Sequence, residues 1–477
     1  MNKPIGRLFA LVVLMFALLI GFTSRWTVFD AKALQNNALN ARTLLETQHI
    51  KRGSIYAENG STLLADSISQ PGGAYTRFYP FGSLFAASVG FAFPNQGDAG
   101  LEAYRNSVLT GTPLQHESVI DQLEGKQTAG DSVYTTLDAN AQQVATSALE
   151  ATHLDGAVVA MVPSTGAIRV FAENPSYDPN LIPSGRATSG GSSEFDRVSE
   201  SRYFPGSIQK VVTSIAAIDS GKFTPTSIIN GNSPQTFEGI PLNNDAKTSY
   251  GQITLTDALT DSVNTAFANV AQDLGGAVLA KYMYRLGYYR KPPIDLPPDE
   301  LTASGVRAQN GTLIPPTGAV DVPLMGIGEG QLYVTPLQML MVAAAVANGG
   351  RLMTPHLTNY VTNADGVIVQ QVKPTLYSTV MKPSTATQVG AMMEDVVQDG
   401  TAEAALQGFD IKVAGKTGTA QDCDTCTTSQ VWFIAYAPAT DPQIAVAVTL
   451  EKSLGFGGTV AAPIARQVIQ ALLGKGT

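Results

Sequence analysis

The chain has 477 residues, long enough for two or three domains with sizeable cores. A formal net charge of −9, with 44% hydrophobic and 14% charged residues, describes a globular protein and argues against a general nucleic-acid binder. Four scattered histidines (His49, His116, His153, His356) and one pair of cysteines form no metal-ligand cluster, so neither a metal nor a cofactor is expected.

Lys3 and Arg7 precede the apolar run Leu8 to Phe22. This pattern predicts an uncleaved membrane anchor over 8–23, with residues 1–7 in the cytoplasm and the remainder outside it. Ala31-Lys32-Ala33 resembles a signal cleavage site but lies far beyond the apolar run. Residues 24–50 alternate polar and apolar and predict a helical linker leading away from the membrane. Over 51–130 the segments are short, with turns at Pro71-Gly72-Gly73 and Pro80-Phe81-Gly82. They predict a small, mostly β or mixed, non-catalytic domain, too short for a glycosyltransferase.

Residues 131–477 read as one large α/β unit. Asn140 to Ala151 predicts a helix. Ala157 to Pro163 and Ala167 to Ala172 predict strands around the Pro163-Ser164-Thr165-Gly166 turn. Tyr203-Phe204-Pro205-Gly206 predicts a turn, followed by a helix from Ser207 to Asp219. A helix running through Thr265 to Val270 follows Ser262-Val263-Asn264. Strands are expected at Ile411 to Gly415, Val431 to Tyr436 and Ile444 to Leu450, and a closing amphipathic helix at Ala461 to Leu473. The expected fold is a central antiparallel sheet flanked by helices, with a helical insertion carrying Ser262.

Three short peptides carry the chemistry. Ser207-Ile208-Gln209-Lys210 puts a hydroxyl at a helix N-terminus, where backbone N–H groups favour a developing anion, and a lysine on the same face. A half-buried lysine can lose its proton and act as the base for such a serine. Read alone, this is equally an N-cap serine beside a solvated lysine, and Ser262-Val263-Asn264 alone is an ordinary polar turn. Lys416-Thr417-Gly418-Thr419 lies between strand-like segments, and a glycine within a strand indicates close approach of another backbone or a ligand. Taken alone it is also an edge strand guarded by lysine. In this order the three correspond to S-x-x-K, S-D-N (here Ser-Val-Asn) and K-T-G, a signature of β-lactamases and penicillin-binding proteins. The spacing of Gly326, Gly328 and Gly330 is not that of a phosphate loop, and tight turns account for it.

The chain resembles the class B penicillin-binding proteins from about Arg52 to its C-terminus, and within them the penicillin-binding protein A type of actinobacteria. The resemblance rests on the three motifs and on Arg52-Gly53-Ser54-Ile55, Gly100-Leu101-Glu102, Pro175-Ser176-Tyr177-Asp178-Pro179-Asn180 and Gly326-Ile327-Gly328-Glu329-Gly330 with Thr335-Pro336-Leu337-Gln338. Ala57 stands where the opening signature usually has Asp, and Ile208-Gln209 replace the commoner Thr-Phe.

The resemblance implies a D,D-transpeptidase acting on peptidoglycan stem peptides that end in D-Ala-D-Ala and acylated by β-lactams. Ser207 would be the nucleophile and Lys210 its base. Ser262 would relay a proton to the leaving D-alanine, and Asn264 would bind the substrate amide. Lys416 would support the site electrostatically, and Thr417, Gly418 and Thr419 would bind the substrate carboxylate strand-on. The backbone N–H groups of Ser207 and Thr419 would form the oxyanion hole. The cytoplasmic membrane and the wall-synthesis or division machinery are the further expected partners.

Outside the cytoplasm Cys423-Asp424-Thr425-Cys426 reads as a disulfide pinching the loop after the Lys416 strand; a redox pair or half of a zinc site are the other readings. Three rivals compete with the transpeptidase. A serine β-lactamase needs a deacylating base, and Glu238 lies before Ser262 in a context one residue too long for the class A pattern. A β-lactam-sensing receptor should carry more membrane segments. An inactive cell-division or elongation scaffold should not keep all three motifs.

Overall fold

The computed structural model describes residues 3–26, 48–111, 129–185, 196–315, 320–421 and 426–474. Lys3–Ser24 forms one helix of 22 residues with no buried side chain, and apolar groups such as Leu8, Phe16 and Phe22 face outward. At about 1.5 Å per residue it can cross a hydrocarbon core about 30 Å thick. It is longer than the apolar run because the helix extends through Lys3, Pro4 and Arg7. Most of the 24–50 linker lies outside the described residues.

Two sheets organise the rest. The first has six strands in the spatial order Ile368–Gln371, Thr358–Thr362, Ser132–Thr135, Ile55–Tyr56, Leu63–Ser69 and Tyr75–Phe78. Strands from either side of residue 130 therefore share one sheet. Tyr56, Tyr134 and Tyr360 occupy paired register positions, and their rings stack with centroids 4.8 and 4.4 Å apart. Such cross-strand aromatic pairs are worth about 0.2–1 kcal/mol each and favour this register. Short helices, among them Gly100–Tyr104, complete this mixed module. Buried Glu102 accepts from Arg77 Nε at 2.5 Å and Arg52 Nε at 2.6 Å. Burial alone would raise its pKa, but the two guanidinium groups outweigh it and hold the carboxyl below the usual range.

The second sheet has five antiparallel strands in the order Ala414–Gln421, Ser429–Ala437, Ile444–Ser453, Gly156–Met161 and Ile168–Asn174. The inner strands are almost continuously apolar because both faces are covered. Gly457–Leu473 and Ala139–Glu150 pack together on it, as do the helix Pro336–Ala347, apolar but for Gln338, and Pro383–Gln398. The expected antiparallel sheet with flanking helices is present, with most ends shifted by a few residues. The strand expected from Ile411 begins at Ala414, paired with Tyr436. Its neighbour stops at Ala437, since Pro438 has no N–H to continue the ladder.

Candidate active site

The chain enters the site through the turn at Phe204-Pro205-Gly206. Gly206 has φ of +53°, a conformation glycine adopts without a Cβ penalty. Gly206–Ile208 is a single 3-10 turn, and the α-helix Gln209–Asp219 continues from it. Ser207 thus lies in that opening turn, half-buried, rather than at the first position of the expected α-helix. Two backbones and one indole press on this turn. Gly206 N donates to Gly328 O at 3.0 Å, and a Cβ on Gly328 would collide with the Gly206 carbonyl. A Cβ on Gly418 would sit 3.0 Å from Pro205 O, the close approach expected of a glycine within a strand. Trp432, fully buried on the adjacent strand, donates from Nε1 to Phe204 O at 3.0 Å. These contacts bring Gly206, the residue before Ser207, against the Thr419 backbone, since a Cβ on Gly206 would lie 3.0 Å from Thr419 O.

Lys210 follows one helical turn after Ser207 and is fully buried. Its Nζ donates to Ser262 O at 2.5 Å and to Asn264 Oδ1 at 2.6 Å, and lies 3.3 Å from Ser262 Oγ. Ser262 is a non-glycine residue with φ of +58°, between the helices Leu255–Thr260 and Asn264–Leu274. The left-handed conformation, costly for a residue with a Cβ, turns both its carbonyl and its hydroxyl toward Lys210. Burial pushes the Lys210 pKa down to about 7, and the carboxylates of Asp245 and Glu329 oppose the shift.

Lys416 is likewise fully buried and donates to Thr417 O at 3.1 Å. Burial lowers its pKa well below the usual lysine range, and the nearby Lys210 charge lowers it further. Two ammonium groups so placed cannot both hold a proton cheaply near neutral pH, so the pair favours a free amine. Thr417 Oγ1 lies 2.5 Å from Thr401 Oγ1. Thr419 Oγ1 accepts from Gly457 N, the first residue of the closing helix, at 3.3 Å.

A cleft of about 510 Å³ opens over these groups, lined by Ser207, Ser262, Asn264, Thr417 and Thr419 among others. Lys210 and Lys416 lie beneath it, and Gly418 is in its strand wall. All the motif residues singled out in the sequence therefore converge on one place. Cys426 also lines the cleft and is disulfide-bonded, while Cys423, the other cysteine of the sequence, lies outside the described residues.

Several groups in or beside the cleft are absent from the three motifs. Asn244 is buried; its Oδ1 accepts from both Thr265 N and Thr265 Oγ1 at 2.9 Å, and its Nδ2 donates to Gly231 O and Thr248 O. It pins the start of the Asn264–Leu274 helix. Asn243 O accepts from Asn264 Nδ2 at 3.3 Å. The Asn243-Asn244 pair was the available signal, as side chains of this kind commonly bond neighbouring backbone. Gly457-Gly458 marked another close approach: a Cβ on Gly457 would lie 2.5 Å from Gly418 O. Nothing in the local sequence singles out Thr401.

The chemistry available here is acyl transfer through a serine whose neighbouring lysine can be neutral. Comparison with known proteins agrees. The family described as penicillin binding protein transpeptidase domain matches residues 156–470, and the penicillin binding protein A dimerisation domain matches residues 52–133. The peptidoglycan D,D-transpeptidase PbpA of Mycolicibacterium smegmatis is 30% identical, with 100% of both chains covered. That of Mycobacterium tuberculosis is 29% identical, with 99% of each covered. The M. tuberculosis penicillin-binding protein A acyl-enzyme complexes with ceftriaxone and imipenem superpose with TM-scores of 0.79 and 0.80 at 28% identity, covering 90% of this chain and 100% of theirs. Every motif residue of the cleft falls inside the matched transpeptidase segment, and the chain belongs to the penicillin-binding protein transpeptidase family.

Proposed function

We propose that this protein is a serine D,D-transpeptidase that cross-links peptidoglycan stem peptides through an acyl-enzyme at Ser207. The reading rests chiefly on Lys210, a buried lysine with a pKa of about 7 held one turn from Ser207 by Ser262 and Asn264. Neutral Lys210 takes the Ser207 proton as Oγ attacks the carbonyl of the penultimate D-alanine. The N–H groups of Ser207 and Thr419 hold the oxyanion, each such donor contributing about 2.7–4 kcal/mol. Ser262, in contact with Lys210, passes the proton to the nitrogen of the departing D-alanine. Asn264 binds the donor amide, and Thr417, Gly418 and Thr419, backed by Lys416, hold the terminal carboxylate. An acceptor amine then attacks the ester, and Oγ regains its proton. A β-lactam enters as a mimic of the donor and stays attached.

In this reading Lys3–Ser24 anchors the chain in the cytoplasmic membrane with Lys3 and Arg7 inside and the catalytic part outside. Residues 51–130, whose sheet is completed by Ser132–Thr135, Thr358–Thr362 and Ile368–Gln371, form the core of the non-catalytic module that carries contacts to the wall-synthesis or division machinery, and the rest of 131–477 forms the transpeptidase domain. The test is intact mass over time with benzylpenicillin, alongside Ser207→Ala. One persistent adduct that is lost in the variant is expected. An adduct that clears within minutes, with drug consumed, points to a β-lactamase, and no adduct on folded protein points to a scaffold.

A further inference from the structure

A second hollow, of about 650 Å³, opens within the segment that matches the transpeptidase family and shares no lining residue with the cleft. Its charged lining is Arg202, Lys291 and Arg307 together with Glu200 and Asp299. Among the described residues, none of these side chains is ion-paired. Lys291 donates to Pro298 O, and Glu200 accepts from Asp196 N at 3.1 Å. Arg202 and Asp299 are exposed.

Arg307 is the unusual member. It is only 9% exposed, yet its acceptors are backbone carbonyls: Nη1 donates to Gly311 O and Nη2 to Ala303 O, both at 2.6 Å. A guanidinium carries five N–H donors, and here the buried Nε has no acceptor. Burial lowers the Arg307 pKa, and the neighbouring Arg202 charge lowers it further. Arg202 stands at the same turn, since a Cβ on Gly311 would lie 3.8 Å from its Nη1. Both guanidinium groups therefore meet at Gly311. A buried cation without a counter-ion is costly, and an oxyanion accepting from two adjacent guanidinium groups offsets that cost. Three cations against two carboxylates leave one positive charge in excess. This balance suits a carboxylate, whereas a polyphosphate would bring several charges against Glu200 and Asp299. Arg202 lies five residues before Ser207, so their Cα atoms are within about 18 Å of each other, a span that an extended peptide of similar length covers.

We propose that Arg202 and Arg307 form an anion site outside the cleft that holds a carboxylate of a peptidoglycan peptide stem. The identity of the ligand rests on the transpeptidase reading above. Two guanidinium groups supply the N–H donors that a carboxylate accepts. Glu200 and Asp299 discriminate against more highly charged anions. The site takes no part in bond changes at Ser207; it keeps the wall polymer beside the cleft. Bracing of the turn from Arg307 to Leu313 requires Arg307 alone, whereas anion binding requires Arg202 as well.

In the experiment the full chain in detergent is first acylated at Ser207 with benzylpenicillin, which fills the cleft. Calorimetry then measures binding of an uncross-linked disaccharide-peptide fragment of peptidoglycan, with its carboxylates either free or converted to primary amides. The free form is expected to bind roughly ten- to hundredfold more tightly, the reach of one hydrogen-bonded charge, and raised salt to weaken it. Arg202→Gln should remove most of that difference while melting as the parent does, because Arg202 is exposed and makes no bond to any described residue. Arg307→Lys keeps the charge but not the fork and should weaken binding of the free form too. Equal binding of the two forms, no binding to the acylated parent, or parental binding by Arg202→Gln would each overturn the proposal while leaving the transpeptidase intact. A glycerol-phosphate oligomer that binds more tightly than the free-carboxylate fragment would overturn the carboxylate assignment. Failure to form any acyl-enzyme at Ser207 would instead remove the reading beneath it, and the proposal with it.

Discussion

Lys210 Nζ donates to Asn264 Oδ1 at 2.6 Å, across 54 positions of sequence. The bond joins the helix that carries the nucleophile to the helix insertion that carries the relay serine. An ammonium and a neutral amine can both make it, so the link survives the change of protonation that acylation requires.

Acylation by benzylpenicillin should follow the neutral fraction of Lys210. Its pKa is pushed down to about 7 by burial, so the second-order rate constant should rise with pH through about 7 and then level. The Asp245 carboxylate opposes the shift, so Asp245→Asn should move the rise to lower pH. Stopped-flow acylation between pH 5 and 9 measures both, and a rise displaced upward in the variant would contradict the electrostatic account.

Lys210→Met should abolish acylation yet raise stability. The folded pKa lies below the unfolded value near 10.4, so the unfolded chain binds more protons between about pH 7 and 10.4. This lysine therefore withdraws stability as pH falls through that window, and the full loss is present below pH 7. Replacing it with a similar-sized apolar group should add about 2 kcal/mol below pH 7 and progressively less toward pH 10. Thermal melts at pH 6 and pH 9 test the sign.

Asn244→Ala should cost about 2–3 kcal/mol, because it strands buried partners at Thr265, Gly231 and Thr248. It should also slow acylation about 10–100-fold by loosening the Ser262–Asn264 turn. Loss of stability with an unchanged acylation rate would assign Asn244 to folding alone.

Glu102→Gln should destabilise the N-terminal module by about 3 kcal/mol, since Arg77 and Arg52 would keep their charges without their carboxylate partner. The folded pKa of Glu102 is depressed, so its contribution is present above the ordinary glutamate pKa and lost as pH falls through the folded value. The variant's deficit should therefore shrink in acid. Urea melts at pH 7 and pH 3 measure it.

Much of the site was legible because its chemistry is local. Ser207 and Lys210 lie one turn apart, and Lys416 to Thr419 form one stretch of strand, so motif and geometry coincide. What was illegible is what the fold brings from afar. Asn244 acts on Thr265, 21 residues on, and Thr401 meets Thr417 through packing of separate elements. The left-handed Ser262 was equally invisible, since serine has no preference for it; tertiary bonds to Lys210 hold it there. The sheet that unites Ile55–Tyr56 with Thr358–Thr362 through Ser132–Thr135 depends on pairings such as Ile55 with Val133 and Thr358 with Thr135, far apart in sequence, which no local pattern encodes.

The glycine-to-glycine contacts around Ser207 bear on how the protein can be watched. Residues 206, 328, 418 and 457 touch through bare backbone, so the nucleophile's surroundings exist only when four distant segments have all arrived. A partly folded chain has no fragment of this arrangement able to react. A fluorescent penicillin would then act as a clock for maturation, reading out in a single covalent event the moment at which the whole catalytic half of the chain becomes native.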